Sequence, residues 1–577
     1  MRLLPLTLLL CLFSAAAAGQ ELAESDCANP LLGVQRLYSA NFGEMRPDHF
    51  HSGVDFKTDG VTGKRVVAVA DGYVSRLSLH PSGYGRALYI THPDGTTSVY
   101  GHLSQFRDDI EKYVRDERLL RGVNSVDMWF AAWQWPVSRG EVIALSGNTG
   151  NSFGPHLHFE IRETLSQRTL NTLAAKQFYL NDDIPPVIAR LRYIEIDTLR
   201  GVPVNAPAVV CDVRRLAPGF YCAASEAPLR VGRNGYFVLE ASDRKNGVQN
   251  TFGLYRVTAS LDGQPRFEYR MDGFLFSDTR YCNAVSYYPV QISSRNEAIR
   301  LARLDGNLRS FYTELVDDGR IGLDAGQRAA LSIEVCDEAG NVSRLELQLE
   351  GKPDEECFRA ADPGSEVVDR RRDFSHADRW AEISIPAGTL YESAFFRYSA
   401  GAKEPPAGSR AAASAVCSIF DTSVPLHRSI SLAIRCDMPP SLQRHAALAW
   451  VNRRGKAVYA GGSYADGAVR GQVRNAGDYY VTADTVAPKI ALRFTDGADL
   501  SRASTVSFGV SDDFSGIGSY ECYIDGQFAL LDYMPVGGLL IHRFADSRLK
   551  RGAMHTVRVV VTDNCGNRRE TTARFRR

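Results

Sequence analysis

Short apolar segments separated by turn residues run through nearly the whole chain, and this pattern constrains the fold more than any other feature. The segments are rich in Val, Ile, Tyr and Phe, as in KRVVAVADGYVSRLSLH, GRALYITHPDGTTSVYGHL and GEVIALSG. β-Branched and aromatic residues bounded by Gly, Asp, Asn and Pro are typical of strands joined by tight turns. The sequence therefore predicts a mainly β fold. One helix is predicted at residues 104–120, where apolar residues follow the helical period.

The N-terminus has the features of a secretory signal peptide. MRLLPLTLLLCLFSAAAAGQ combines one Arg, a short apolar run and small residues before Gly19. The run is shorter than the roughly 20 residues of a membrane span. We therefore expect cleavage after residue 19, no membrane span in the mature form, and an exported protein of the periplasm, cell envelope or extracellular space.

Cysteine content and charge further restrict the class of protein to which the chain can belong. Ten cysteines follow the predicted signal, an even number compatible with disulfides in an exported protein. The plausible local pairs are Cys211–Cys222, Cys417–Cys436 and Cys522–Cys565. Lys+Arg and Asp+Glu are equal at 67 each, so no global charge favours nucleic acid or an anionic membrane as a partner.

Seven of the twelve histidines lie between residues 49 and 158, and two motifs there suit a metal. In HSGVD, His51 and Asp55 offer an imidazole and a carboxylate, ligand types that zinc accepts. In HLHFE, His156 and His158 are two residues apart, so they share one face of a strand. His102, in YGHL, ends a predicted strand. His80 and His92 flank turns and are expected at the surface, and His49 could lie beside the site.

The motifs together resemble one family closely. FGEMRPDHFHSGVDF, YGHL and GEVIALSGNTGNSFGPHLHFEIR occur in the order seen in lysostaphin- and LytM-type zinc metalloendopeptidases. The form HFHSGVD and the long β-rich extension resemble secreted members from Bacteroidota. The resemblance covers residues 35–185, which is under a third of the chain. It implies one zinc ion, a peptidoglycan substrate cut in its stem peptides or cross-bridges, and diaminopimelate-type rather than polyglycine links.

The resemblance also implies a role for each motif residue. His51, Asp55 and His158 are expected to bind the metal, and His102 and His156 to act as catalytic residues. Three protein ligands leave a fourth tetrahedral position for water, as in catalytic zinc sites. His102 and His156 would then orient and deprotonate that water and stabilise the tetrahedral intermediate.

The C-terminal two-thirds contains an internal repeat. FVLEASDRKNGVQNTFGLYRVTASLDGQ (237–264) parallels FGVSDDFSGIGSYECYIDGQ (508–527), and VCDEAGN (335–341) parallels VTDNCGN (561–567). This pattern predicts a repeated immunoglobulin-like β-sandwich. The predicted divisions are a signal peptide at 1–19, an antiparallel β-sheet metallopeptidase domain at 20–185, immunoglobulin-like sandwiches at 186–360 and 486–577, and a β-rich domain at 361–485.

Other readings of the sequence stay open. The same active-site chemistry would serve a zinc protease acting on secreted proteins, and a non-catalytic wall-binding regulator is a further alternative. A lipoyl-like carrier or a transport-phosphorylation module has similar β topology but needs a modified Lys or a phosphorylated His. The C-terminal β domains could bind a glycan or an envelope protein, or act as a spacer, and fold does not choose among these roles.

Overall fold

The computed structural model describes residues 29–175, 178, 182–294, 296–401, 410–547 and 549–577. The predicted signal peptide and Cys27 lie outside the described residues. Within these ranges no helix is long and apolar enough to cross a membrane. Strands dominate every region, so the prediction of a mainly β fold is confirmed.

The N-terminal region contains twelve strands and one helix of 14 residues. The strands are β1 Tyr38–Ala40, β2 Val54–Lys57, β3 Arg65–Val67, β4 Gly72–Leu79, β5 Arg86–Thr91, β6 Thr96–Gly101, β7 Gln105–Phe106, β8 Val126–Trp129, β9 Pro136–Val137, β10 Val142–Leu145, β11 His156–Glu163 and β12 Thr169–Leu170. The helix, α1, is Asp108–Arg121 and so begins later than predicted. It buries Ile110 and Val114 against the sheet core and ends at Gly122 in the left-handed conformation.

The main sheet of this region is antiparallel and has the order β1-β2-β11-β6-β5-β4-β8. β9 pairs with β4, β12 pairs with β11, and β3-β10-β7 form a small separate sheet. β11 lies between β2 and β6, with His158 opposite Asp55 on one side and Gly101 on the other. This register brings the two predicted metal motifs together with the end of the strand that precedes His102.

Residues 187–351 form a second, twelve-stranded sheet. Its strands are Val187–Leu199, Val202–Asn205, Val209–Ala217, Phe220–Ala223, Leu229–Val231, Gly235–Ser242, Arg256–Leu261, Gln264–Arg270, Glu297–Arg300, Tyr312–Leu315, Arg328–Cys336 and Val342–Gly351. Two short helices, Cys282–Val285 and Tyr288–Gln291, precede the Glu297–Arg300 strand. The immunoglobulin-like assignment of this region stays a prediction.

Residues 367–483 form two five-stranded sheets and one two-stranded sheet. The first five-stranded sheet contains Phe374–Ala377, Ala381–Ile385, Ile430–Arg435, Ala468–Val473 and Ser463–Ala465. The second contains Tyr398–Gly401, Val416–Ile419, Gly477–Ala483, Ala446–Val451 and Ala457–Tyr459, and the small sheet pairs Val367–Val368 with Ala394–Phe395. A short helix, Pro440–Gln443, completes this region.

The last region packs a four-stranded sheet against a five-stranded sheet around one core. The four strands are Lys489–Leu492, Thr505–Ser511, Leu539–Arg543 and Asp532–Met534. The five are Ala498–Asp499, Arg568–Arg576, Met554–Asp563, Ile517–Ile524 and Gln527–Phe528.

The N-terminal region is joined to two of the others by buried contacts. Phe42 and Phe50 pack on Phe274 of the second region, and Gly273–Phe274 adds a strand to the N-terminal sheet through β12. Asp532 of the last region pairs with Arg86 and Arg118, whose side chains are each 2% exposed. The N-terminal region therefore shares its core with one neighbour and a buried ion-pair network with another.

The prediction of local disulfides is wrong for this structure. All nine cysteines among the described residues are unpaired. Cys222 lies opposite Arg214 rather than Cys211, and Cys522 lies opposite Val559. Strand register therefore separates the thiols of these two predicted pairs, and Cys417 and Cys436 are associated with different sheets.

Candidate metal centre

Three side-chain atoms from different parts of the N-terminal sheet converge on one point. His51 Nε2 lies 3.1 Å from Asp55 Oδ1 and 3.1 Å from His158 Nδ1, and His158 Nδ1 lies 2.9 Å from Asp55 Oδ1. Zinc bonds of about 2.0–2.1 Å in a tetrahedron put ligand atoms about 3.3 Å apart. Two imidazoles and one carboxylate at this spacing fit a zinc ion, and these three residues would hold it.

Hydrogen bonds on the far sides of the two imidazoles determine which nitrogen faces the centre. The His51 Nδ1–H group donates to the carbonyl of Asn41 at 2.7 Å, which leaves Nε2 unprotonated and directed towards Asp55. The His158 Nε2–H group donates to Glu160 Oε1 at 2.8 Å, which leaves Nδ1 directed inwards. Such outer partners orient metal-ligating histidines and raise their basicity.

His156 and His102 lie beside the three converging atoms. The His156 Nδ1–H group donates to the carbonyl of Gly154 at 2.8 Å, and its Nε2 lies 3.6 Å from Asp55 Oδ1. The His102 Nδ1–H group donates to the carbonyl of Thr149 at 2.8 Å. The two rings are 4.6 Å apart. Each histidine therefore has Nε2 available as an acceptor. His156 Nε2 lies next to the metal position, and the His102 ring lies 5.8 Å from the His158 ring, between centroids.

Burial favours the neutral form of both of these histidines. It lowers the pKa of His102 to about 3, and repulsion from His156 and His158, when either is protonated, lowers it further. Burial also lowers the pKa of His156. A neutral imidazole with its Nδ1 proton held by a carbonyl can accept a proton at Nε2, which is what a general base requires.

Sequence reasoning missed Glu160, which is 1% exposed. Its carboxylate accepts hydrogen bonds from His158, from the Tyr84 hydroxyl at 2.5 Å, from Ser52 Oγ at 2.6 Å and from Arg162 Nε at 2.7 Å. Burial opposes ionisation, but the Arg162 charge and the His158 hydrogen bond hold the pKa of Glu160 below its usual range. The sequence did contain an indication of this residue: along a strand, residue 160 lies on the same face as residues 156 and 158.

Gly53 allows two segments of the site to approach each other closely. A Cβ at this position would lie 2.3 Å from the carbonyl oxygen of Phe159 and 2.9 Å from His158 Cε1. The glycine lets the HSGVD segment pass directly against β11. His51 and Asp55 reach the same point as His158 because of this close approach.

The remaining histidines of the cluster do not join the centre. His49 is half-exposed and pairs with Asp48, so it does not support the ligands. His80 is exposed, as expected. His92 is 5% exposed and bonds to the Asp71 carbonyl and Ser98, so its expected surface position is wrong. It is a satisfied core histidine.

Comparisons with known proteins concern mainly the N-terminal region. The model of peptidase family M23 matches residues 49–121, and the model of a Zu5-like domain matches residues 365–484. An uncharacterized metalloprotease of Haemophilus influenzae is 35% identical over 134 residues, 23% of this chain and 22% of that protein. The DD-carboxypeptidase/endopeptidase Mpg of Neisseria meningitidis serogroup B is 35% identical over 112 residues, 19% of this chain and 20% of that protein.

The chain spans about a fifth of the length of these relatives. Among solved structures, a zinc-containing peptidase from Vibrio cholerae is 30% identical over 23% of this chain and 36% of that chain, with a TM-score of 0.17.

Proposed function

Since the N-terminal region contains a peptidase family M23 domain, we propose that the chain is a zinc-dependent endopeptidase. The proposed substrate is peptidoglycan, cut in its stem peptides or cross-bridges, and the proposed location is outside the cytoplasm. The convergence of His51, Asp55 and His158 beside two neutral histidines carries this proposal. The Neisseria relative, described as a DD-carboxypeptidase/endopeptidase, supports the choice of a peptide-bond hydrolase.

Zinc, when bound, polarises a peptide carbonyl and makes water a stronger acid near neutral pH. The chain supplies the proton acceptors. His156 Nε2 is directed towards the metal position and accepts the proton of the attacking water. His102 Nε2, on the neighbouring ring, accepts a hydrogen bond from the same water and orients it. The carbonyls of Gly154 and Thr149 hold the opposite nitrogens and keep both rings in orientation.

The protein's own histidines provide a test that separates metal binding from chemistry. His158→Ala should abolish zinc retention, because it removes one of three ligands. His156→Ala should retain zinc but lose activity by roughly 10²–10⁴-fold, the usual contribution of a general base. Zinc content by atomic emission and turnover on purified peptidoglycan would be measured for both variants. Full turnover by His156→Ala would show that this residue is not catalytic.

Substrate class needs a separate measurement. The zinc-loaded protein would be incubated with purified diaminopimelate-type and polyglycine-bridged peptidoglycan, with and without a chelator, and the fragments would be identified by mass. Chelator-sensitive release of cross-link peptides is the expected result. Cleavage of casein but not of either wall would identify a protease of secreted proteins. Zinc retention without cleavage of any substrate would identify a non-catalytic regulator.

A further inference from the structure

A large cavity lies where three regions of the chain meet, and its volume is about 770 Å³. Cavities of roughly 300–1,000 Å³ are typical of ligand sites, which occur preferentially between domains. The segment before the metal motif lines one side, the second region another, and the Zu5-like match, residues 365–484, the third. Its charged and aromatic residues include Asp48, Arg280, Tyr288, Trp450, Arg453 and Arg474.

A short hairpin connects this cavity to the metal centre. Met45 and Phe50 pair as an antiparallel bridge, and the His51 backbone N–H group donates to the Glu44 carbonyl at 2.9 Å. One side of the hairpin therefore carries His51, while Glu44 and Met45 on the other side line the cavity. A ligand in the cavity lies beside the segment that positions the first proposed metal ligand.

Two arginines of the Zu5-like match line the cavity without a carboxylate partner. Arg453 Nη2 donates to the Thr422 carbonyl at 2.8 Å, and Arg474 Nε donates to the Ser429 hydroxyl at 3.0 Å. Among the described residues, no Asp or Glu side chain forms an ion pair with either arginine. A guanidinium group has five N–H donors, so each of these two retains unused donors and an uncompensated positive charge.

Arg280 of the second region adds a third positive charge. Its Nη2 donates to the Leu426 carbonyl at 2.8 Å, and its Nη1 lies 3.6 Å from Asp48, which also pairs with His49 at 2.7 Å. The pKa of Asp48 is lowered by the His49 hydrogen bond and by the charges of His49, Arg280 and Arg474. Arg280 and Arg474 therefore lie close enough to act on the same carboxylate, and this carboxylate is already shared.

The other carboxyl groups of the cavity are engaged within the protein. Glu297 is 6% exposed and accepts from the backbone N–H groups of Met45 at 2.7 Å and Leu254 at 3.1 Å, one on each oxygen. Glu44 Oε1 lies 3.1 Å from Arg46 Nε, and its other oxygen is shielded from solvent. The groups that a ligand can still engage are therefore mainly cationic.

Aromatic side chains form the wall beside these arginines. The Arg453 guanidinium lies 5.6 Å from the centroid of the Tyr288 ring, and Trp450 Nε1 donates to the Ala476 carbonyl at 3.1 Å, which fixes the indole. Apolar walls with a few placed polar groups are typical of ligand sites, and arginine is well suited to binding carboxylates through paired hydrogen bonds. The cavity thus fits a ligand with both aliphatic parts and carboxylates.

We propose that this cavity binds a carboxylate-bearing peptide segment of the substrate, recognised by Arg280, Arg453 and Arg474. The identity of the ligand rests on the proposed function, in which the substrate contains stem peptides. A diaminopimelate residue carries two carboxyl groups, so a stem peptide of that type has the required charge. Binding there holds the peptide beside the hairpin that carries His51, and contributes to substrate affinity without taking part in the chemistry.

Calorimetric titration of the full, zinc-loaded chain with a diaminopimelate-containing stem tripeptide tests this site without requiring turnover. We expect binding at about 1 μM–1 mM, the usual range of KM values. Loss of two partly exposed ion pairs in the double variant Arg453→Ala/Arg474→Ala should weaken binding about tenfold. Arg454→Ala is the matched control, because Arg454 is exposed and adjacent in sequence but does not line the cavity, and it should bind the tripeptide like the parent.

A second probe tests the role of charge. The same tripeptide with amidated carboxyl groups should bind the parent about tenfold more weakly, because it can no longer form ion pairs with the arginines. On soluble cross-linked fragments of diaminopimelate-type peptidoglycan, the effect of the double variant should appear in KM rather than in kcat, as expected for a lost contact that is the same in the ground and transition states.

The proposal is overturned if the tripeptide fails to bind at about 10 mM, well above the usual KM range. It is equally overturned if the amidated tripeptide binds as tightly as the acidic one, if the double variant binds like the parent, or if a peptide-free amino-sugar oligomer binds and the tripeptide does not. Arginine-dependent binding of the tripeptide without cleavage of peptidoglycan would support this site and count against the peptidase proposal alone.

Discussion

Replacing Glu160 by Gln tests how strongly the outer hydrogen bonds hold the proposed ligands of the metal centre. Glu160 Oε1 accepts from His158 Nε2, Tyr84 and Ser52, while Oε2 accepts from Arg162. A Gln side chain has one oxygen and one NH₂ group, so the NH₂ group must face either these three donors or the guanidinium. Either orientation leaves N–H or O–H donors facing one another in a buried site.

The expected loss of zinc affinity for Glu160→Gln follows from this mismatch. Outer partners of metal-ligating histidines typically contribute about 10–100-fold to metal affinity, which corresponds to about 1.4–2.7 kcal/mol. Competition between the protein and a chromophoric zinc chelator at neutral pH measures the change directly. A dissociation constant equal to that of the parent would refute the argument that Glu160 supports the His158 ligand.

Glu240→Gln is the matched control for this experiment. Glu240 is 6% exposed and accepts a hydrogen bond from Arg192 at 2.8 Å, so its replacement also breaks a buried carboxylate–arginine pair. It lies in the second region, away from the metal centre. We expect Glu240→Gln to lower Tm without changing zinc affinity. An equal loss of zinc affinity in both variants would attribute the effect to general destabilisation.

Three further outcomes follow from packing and charge. Gly53→Ala should lower the free energy of unfolding by about 1–3 kcal/mol through overpacking and weaken zinc binding, because the new Cβ would meet the Phe159 carbonyl. In the control Gly154→Ala the new Cβ meets nothing within 4 Å, so thermal unfolding and zinc titration should show no change in stability or zinc affinity. Asp532→Ala should cost about 3–5 kcal/mol, because it leaves the buried Arg118 without its carboxylate partner, whereas Arg86 keeps its pair with Glu111. The more exposed Asp127→Ala should cost at most about 1 kcal/mol. Equal losses of stability in urea unfolding would contradict this. Burial opposes ionisation, but the arginines hold the pKa of Asp532 well below its usual range. The ionised Asp532 carboxylate therefore stabilises the folded state above the unfolded pKa of about 3.9, and this contribution is lost as pH falls below that value. The loss of stability caused by Asp532→Ala should shrink between about pH 5 and pH 2. A loss that does not depend on pH would argue against the ion-pair explanation.

Local sequence patterns were sufficient for the features that depend on neighbouring residues. Alternation along a strand put His156 and His158 on one face, and the same rule extends to Glu160. The helical period predicted α1, but only the structure shows that the helix begins at Asp108. The match to peptidase family M23 confirms the resemblance that the motifs indicated.

Features that depend on distant residues needed the tertiary structure. Cysteine spacing suggested three disulfides, but strand register separates Cys211 from Cys222 and Cys522 from Cys565. Cys417 lies in one five-stranded sheet and Cys436 directly follows a strand of the other. His92 seemed to flank a surface turn, yet the Asp71 carbonyl and Ser98 satisfy it inside the core. The contact of Asp532 with Arg86 joins residues 446 positions apart, and no local pattern indicated it.

The sequence by itself predicted a mainly β chain with a metal site of His and Asp near residues 51, 55, 156 and 158, because short motifs encode strand alternation and ligand chemistry. The family resemblance then implied His158, rather than His156, as the third ligand. Only the tertiary structure decided that β2 and β11 pair in the register that brings those atoms within about 3 Å. It also decided that Lys245 is buried between the carboxylates of Asp243 and Glu338. The physical reason is that strand pairing and the burial of charge depend on residues far apart in the chain, whose approach no local pattern encodes.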